Sequence, residues 1–417
     1  MLGFLAKKMK LCGVYLLCVL FAFSGCQTSP GSGFGVDVGP ELSSFFESER
    51  EAKIDKNKSR LDVIIPVFDP GLSESAKNYE EGGVWPELRR AESNRFAYRM
   101  KVAMDGLDAF GAVRVTPDST AVGDLYALGE ILQSNGENVK IRIKVADMTG
   151  KLWFTRIFEH SVPKGFYKNI RNKGSDPYDP VFVKAANRIA IELEDYQNED
   201  LDNIRQVTEL RFSSSFAEDI FSKHLLVEKG KYIIRSLPSE SDPMLRRTRE
   251  IRVRDQLFVD GLQEHYQTFS RNMEASYFVW QEQSGLELEA KRAKNNEALG
   301  EAILGVLAVG VAIAAIVAGA NSKSPGGAAV AQTGAIAAGA AGAVLLSNSF
   351  RTSEEAKIHR EALEELGESI DIALGPQVVE FEEESLELTG TAKEQFSKWR
   401  EFLKKIYEQE RTPDEQF

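Results

Sequence analysis

The 417-residue sequence predicts an α+β protein: an N-terminal α/β domain with an antiparallel meander, then a mostly helical region with a long antiparallel helical stalk and a Gly/Ala-rich apolar hairpin. Three observations carry this expectation. Residues 61–158 hold short β-branched runs separated by turn signals and one helical periodicity. From Asp242 onward, apolar residues recur at steps of three and four. Residues 302–346 hold two apolar arms without a single acid or base.

The chain opens on Lys7, Lys8 and Lys10, then the apolar run Leu11–Phe23, then Ser24-Gly25-Cys26. A positive region followed by a short apolar one is the anatomy of a secretory signal. Two small residues directly before a cysteine make the segment resemble a bacterial lipoprotein signal, with Phe23 where the pattern usually has Leu. The resemblance implies a mature chain starting at Cys26 and acylated there, held at the outer membrane on its periplasmic side, since Gln27 rather than Asp follows. Other readings are secretion after cleavage near Ala22-Phe23-Ser24, or an uncleaved anchor. All three cysteines, Cys12, Cys18 and Cys26, lie in the first 26 residues, so the rest has neither a disulfide framework nor a thiolate metal site. Residues 26–60 read as a tether, Gly/Ser/Pro-rich and then charged.

Residues 61–196 read as the α/β docking domain. Leu61–Phe68 is a buried strand closed by Asp69-Pro70-Gly71, with Pro66 suited to a strand end. Trp85–Phe110 is a helix whose first turn holds Pro86. Ala112–Val115 is a short strand. Asp124–Leu132 and Val139–Val145 form a hairpin around Ser134-Asn135-Gly136, because Asn-Gly tolerates positive φ. In the second of these, Val139, Ile141, Ile143 and Val145 alternate with Lys140, Arg142 and Lys144, the pattern of a one-sided sheet whose cationic face is solvated. Leu152–Phe158 is the next strand, and Pro180–Tyr196 a helix with Asp179 as its N-cap.

Three stretches here resemble a group of periplasmic lipoproteins that includes the curli secretion channel and the activators of penicillin-binding proteins. They are Asp62-Val-Ile-Ile-Pro-Val-Phe68, Asp124–Ile131 with its Gly129-Glu130-Ile131, and Asp147-Met-Thr149-Gly150-Lys-Leu-Trp153. The resemblance covers about a third of the chain. It implies a non-enzymatic domain that docks envelope proteins or assembles into rings.

Residues 197–241 read as a helical connector: Glu199–Lys223 as helix, then a short extended Tyr232–Ser236. Residues 242–373 read as the stalk. One stripe runs Phe258, Leu262, His265, Phe269, Met273, Ser276, Trp280; the other runs Ala356, His359, Leu363, Leu366, Ile370, Ala373, spaced like a coiled-coil seam. His265 and His359 read as packed seam residues. Between the stripes lie the arms, nineteen residues each, split by Asn321–Gly327 with its Pro325-Gly326-Gly327. A bilayer span needs roughly 20 apolar residues. Gly310, Ala314 and Ala318 on the first arm, and Ala335, Gly339 and Ala343 on the second, let helix backbones approach closely, in lipid or in an oligomer core. The plainer alternative is a hairpin buried in a soluble helical domain. Residues 374–417 read as an extended segment and a final helix, opened by a capping box at Thr391-Ala-Lys-Glu394.

The net charge of −12 argues against a nucleic-acid partner and against attraction of the chain as a whole to anionic lipid heads. Ser322-Lys323-Ser324 lacks the glycines of a phosphate loop, and there is neither a Gly-x-Ser-x-Gly elbow nor a His-Glu-x-x-His pair. Glu382-Glu383-Glu384 reads as a solvated face. The expectation is a non-enzymatic envelope lipoprotein without cofactor or metal. It would bind membrane lipid through Cys26 and residues 302–346, form homo-oligomers, and act in assembly, secretion or envelope maintenance. The alternative is a periplasmic activator of a cell-wall synthase, or a scaffold with a buried hairpin.

Overall fold

A mixed five-stranded sheet in the order β2-β1-β3-β4-β5 anchors the structure, a computed structural model describing residues 50–72, 84–306, 356–381 and 384–409. Between 289 and 306 it describes the backbone and the Arg292 side chain. Cys26, its leader, most of the tether and residues 307–346 of the hairpin lie outside the described residues.

Strand β1 (Val63–Pro66) runs parallel to both β2 (Val113–Thr116) and β3 (Leu125–Ser134). Strands β3, β4 (Asn138–Asp147) and β5 (Leu152–Ser161) follow as antiparallel neighbours. All four β1 residues are buried because both of its faces are covered. Val63 and Ile65 join the main core with Phe96 and Met100 of helix α1 (Pro86–Asp105) and Phe182 of α2 (Asp179–Leu193). Ile64, between them, points the other way, onto Val259 and Phe396. Pro66 ends the strand, where pairing with β3 has already stopped and only β2 continues beside it. In β4 the four apolar residues are at most 1% exposed. Lys140 on the opposite face pairs with Glu159 at 2.8 Å, and Arg142 pairs with Glu130.

Several boundaries differ from the sequence expectation. Helix α1 stops at Asp105 rather than 110, and Asp108 takes a left-handed turn (φ 52°). Asp179 is not an N-cap: it is already helical, and its carboxylate receives Arg99 Nε at 2.8 Å. The helix expected over 199–223 is α3 (Asn198–Phe216), a break at buried Ala217, and the single turn α4 (Glu218–Phe221). The short extended run is one arm of a hairpin, β6 (Leu225–Glu228) with β7 (Lys231–Ile234).

Helix α5 (Pro243–Val306) is 64 residues long, roughly 96 Å at 1.5 Å per residue. Leu262, Tyr266, Met273, Tyr277 and Trp280 put it into the main core, and Val259 covers the far side of β1. Its Gln263 pairs with the free edge of β2, accepting from Val115 N at 2.9 Å and donating to Val115 O at 2.8 Å. That covers backbone groups that an edge strand would otherwise leave open.

The second stripe is helical only as α6 (Lys357–Leu366), so the helix expected through Ala373 ends about two turns sooner. Gly367 lies so close to α1 that a Cβ there would fall 1.8 Å from Glu87 O. Beyond it, Arg90 and Asn94 of α1 donate to Gly367 O and Ile370 O at 2.6 and 2.7 Å, drawing the chain away from the helical path. His359, on α6, bonds Ser276 Oγ at 3.1 Å. The C-terminal part is a hairpin, β8 (Ala373–Phe381) with β9 (Glu384–Thr391), followed by α7 (Ala392–Gln409). Strand β9 was not legible in the sequence. The capping box was: Thr391 N donates to Glu394 Oε2 at 2.9 Å and Glu394 N to Thr391 Oγ1 at 3.3 Å. All described residues belong to one contact unit, Glu47–Phe417.

The β3–β4 turn packs directly on α5. Gly136 has φ 86°, and a Cβ there would meet Ser284 Cβ at 2.5 Å and Gln281 O at 2.9 Å. Gly136→Ala should therefore cost about 2–4 kcal/mol in urea unfolding, strain and overpacking combined. Gly174 has the same backbone sign with open space around it. Gly174→Ala should cost only the left-handed penalty, about 1–2 kcal/mol.

Candidate functional site: a buried ionic junction

The polar residues of α1 explain how α5 is held. Arg89, Glu92 and Arg95 are spaced three apart along one side of the helix, at the seam where α2, the β3–β4 turn and α5 meet. A helix this polar would normally face water, yet Glu92 is 0% and Arg95 1% exposed.

Arg95 donates from Nη2 to Asp176 Oδ2 at 2.7 Å, and from Nη1 to the Ser270 carbonyl of α5 at 3.0 Å. Its guanidinium carbon lies 5.0 Å from the Tyr277 ring centre. Asp176 sits in the turn before α2, accepting from Tyr178 N at 3.0 Å and Gln281 Nε2 of α5 at 3.3 Å. Glu92 accepts from Tyr277 Oη at 2.7 Å and from Ser134 Oγ. Arg89 Nε lies 3.5 Å from its other oxygen. Gly136 N donates to Tyr178 Oη at 2.7 Å, closing the ring of contacts onto the β3–β4 turn.

Burial pushes the Glu92 carboxyl above its ordinary value; Arg89, Ser134 and Tyr277 pull it back only in part. Burial also pushes Asp176 up, but Arg95, the Tyr178 amide and Arg99 outweigh it, and the carboxyl stands below its ordinary value. Burial and the nearby Glu92 raise the Tyr178 hydroxyl. The junction thus shifts the two carboxyls in opposite directions, Glu92 up and Asp176 down. Such an arrangement fixes one orientation of α5 against the sheet, since every shift leaves a buried charge unanswered.

The three stretches that carry the family resemblance form a second set of fixings. Asp62 Oδ1 accepts from Ala112 N, and Asp124 Oδ2 from Asp62 N, both at 2.9 Å. Met148 N donates to Asp124 O at 2.9 Å. Asp147 accepts from Thr149 N at 2.9 Å and Trp153 Nε1 at 2.8 Å. At Gly129 a Cβ would fall 2.4 Å from the Phe68 ring. These residues join strand ends and let two strands approach. Arg114 then ties the sheet to α5 through a two-pronged contact with Asp260, 2.6 and 3.0 Å.

Cys26, Gly310, Ala314, Ala318, Ala335, Gly339 and Ala343 all lie outside the described residues. Among the described residues no helix is long and apolar enough to cross a membrane, and no group of three His, Cys, Asp or Glu could hold a metal ion. Sequence reading did not find Glu92, Arg95, Asp176 or Gln281. The one signal for Glu92 and Arg95 is charge on the helix side flanked by Leu88 and Phe96, which a solvated face shows equally; Asp176 and Gln281 carry none. No protein family, no curated protein and no solved structure matches the chain.

Arg95→Ala should lower stability by about 3–5 kcal/mol, because it leaves Asp176 buried without its cation. Loss of the Arg95 side chain should also free the middle of α5, read as faster amide exchange around Ser270–Gln281. Glu92 binds its proton more tightly folded than unfolded, so its contribution is favourable at low pH and is lost as pH rises through its raised value. Asp176 has the opposite sign: its contribution is present above the ordinary carboxylate value and is lost as pH falls through its lowered one. Glu92→Gln should thus gain on the parent between about pH 4 and about pH 8 in urea midpoint. A difference that stays flat with pH would show that Glu92 does not carry a raised value.

Proposed function

We propose that this chain is a non-enzymatic cell-envelope lipoprotein, acylated at Cys26, in which the α/β layer docks protein partners or copies of itself. The apolar hairpin at 302–346 enters a membrane or an oligomer core, and the role is assembly, secretion or envelope maintenance. The observation that carries this reading is the double life of α5. Its first part is buried beside the sheet, and its last turn, ending at Val306, already belongs to the first uncharged arm, which opens at Ala302. Whatever the arm is embedded in is then coupled through one continuous helix to the buried junction at Arg95 and Glu92. The lipoprotein-like leader supports the same setting, as does the absence of cysteine after Cys26. The helical stalk belongs to this proposal as the part of α5 beyond the junction, leading into the hairpin.

Membrane fractionation tests both anchors. Cys26→Ala and a deletion of residues 302–346 should each leave the protein in the membrane fraction through a wash at about 0.5 M salt, and the combination should release it in that wash. If Cys26→Ala alone releases the protein completely, the hairpin is not a membrane element and the proposal reduces to a tethered scaffold.

A further inference from the structure

The loop between β5 and α2 has a composition unlike the rest of the chain. From Pro163 to Gly174 it carries Lys164, Lys168, Arg171 and Lys173 and not one acid, in a protein of net charge −12. Among the described residues none of these four cations has an acidic partner. Ile170 stands between them, 86% exposed, more than any other exposed large hydrophobic residue among those described.

The loop is built to hold that display. Two 3-10 turns, Phe166–Lys168 and Ile170–Asn172, are stapled by Asn172 Nδ2 donating to Phe166 O at 3.0 Å. Phe166 is buried in the main core and fixes the loop to the body. Between the loop, the β3–β4 turn and α5 lies a shallow recess. Tyr167 and Leu286 line its apolar side, with Lys164, Lys168 and Arg292 around it. Glu137, the one acid among its described lining residues, is engaged by Arg292.

We propose that this loop and recess dock the phosphate-bearing headgroups of an anionic bilayer, which rests on the reading that the chain is held at a membrane. Unpaired cations supply the attraction to phosphate. Ile170 supplies the apolar contact that enters the headgroup layer, and half-buried Tyr167 lines the recess beside it. A soluble anion would have no use for an exposed isoleucine among the cations. Placement agrees as well. Arg292 is ten residues before Ala302, about 15 Å of helix from the start of the first apolar arm. Cys26 is joined to Arg50 by 24 residues, about 80 Å when extended, so the lipid anchor does not decide which face meets the bilayer. The loop does.

The test uses the acylated full-length chain carrying Ile170→Trp, compared with the parent chain, mixed with vesicles that all carry brominated acyl chains and are made of phosphatidylcholine alone or with about 30% phosphatidylglycerol. Flotation with phosphatidylcholine reports the anchors. Quenching of the tryptophan at 170, and its change between the two vesicle types, reports the loop. Expected is quenching on the anionic vesicles only, abolished by about 0.5 M salt. Lys168→Glu with Arg171→Glu should raise the anionic lipid fraction needed for half-quenching, with flotation on phosphatidylcholine and circular dichroism unchanged. In a Cys26→Ala chain lacking 302–346, each of the two reversals should weaken binding to anionic vesicles about fivefold or more. Equal quenching on both vesicle types, or none on either, overturns the proposal. So does suppression by millimolar inorganic phosphate, which would mark a soluble-anion site. Loss of cross-linked oligomers in the charge-reversed chain without a change in quenching also overturns it, and assigns the loop to a second copy. A chain that fails to float on phosphatidylcholine but binds anionic vesicles sinks the anchors and leaves the loop standing.

Discussion

A guanidinium shut away from water has to be answered by protein atoms on every side. Arg95 is answered by the Asp176 carboxylate, by a carbonyl of α5 and by the face of Tyr277. Those three contacts come from the turn before α2 and from two successive parts of the long helix. The positions of α1, α2 and α5 are therefore not independent. Apolar packing alone would tolerate sliding of α5 by a fraction of a turn; a buried ion pair would not, because the cost of an unmatched charge is steep. Glu92, its carboxyl pushed above the ordinary value by burial, adds Tyr277 and Ser134 to the same network and fastens the β3–β4 turn.

The sheet is treated differently at its two ends. Around β1 both faces are covered, α1 and α2 on one and α5 and α7 on the other, so the strand is apolar throughout. Across β3, β4 and β5 the second face carries ion pairs between Lys140 and Glu159 and between Arg142 and Glu130. The alternation in β4 and the unbroken run in β1 are the same rule applied to one covered face and to two.

A helix that starts within a core and ends in an uncharged arm is a mechanical link. Its rigidity comes from the backbone ladder, and its fixed end from the junction. Under the membrane reading, a force or a rearrangement at the arm would reach the sheet and the C-terminal hairpin without passing through a flexible joint among the described residues. Under the same reading the basic loop adds a second contact. Two contacts, unlike one lipid chain on a tether, define an orientation.

Local chemistry made much of the fold legible. The hairpin at Asn135-Gly136, the alternation in β4, the proline opening α1 and the capping box at Thr391–Glu394 follow from φ preferences, side-chain period and nearby donors and acceptors. The cysteine-ended leader and the charge-free arms are also properties of sequence alone. Strand β9, the early stop of α6 at Gly367 and the roles of Arg95 and Asp176 depended on residues distant in the chain. Arg90 and Asn94, more than 270 positions before the carbonyls they hold, end the α6 path. Charge at the helix periodicity signals only that one side of a helix is polar. Whether that side meets water or a buried partner is decided by what the rest of the chain brings against it, and desolvation gives the same residue opposite meanings in the two places.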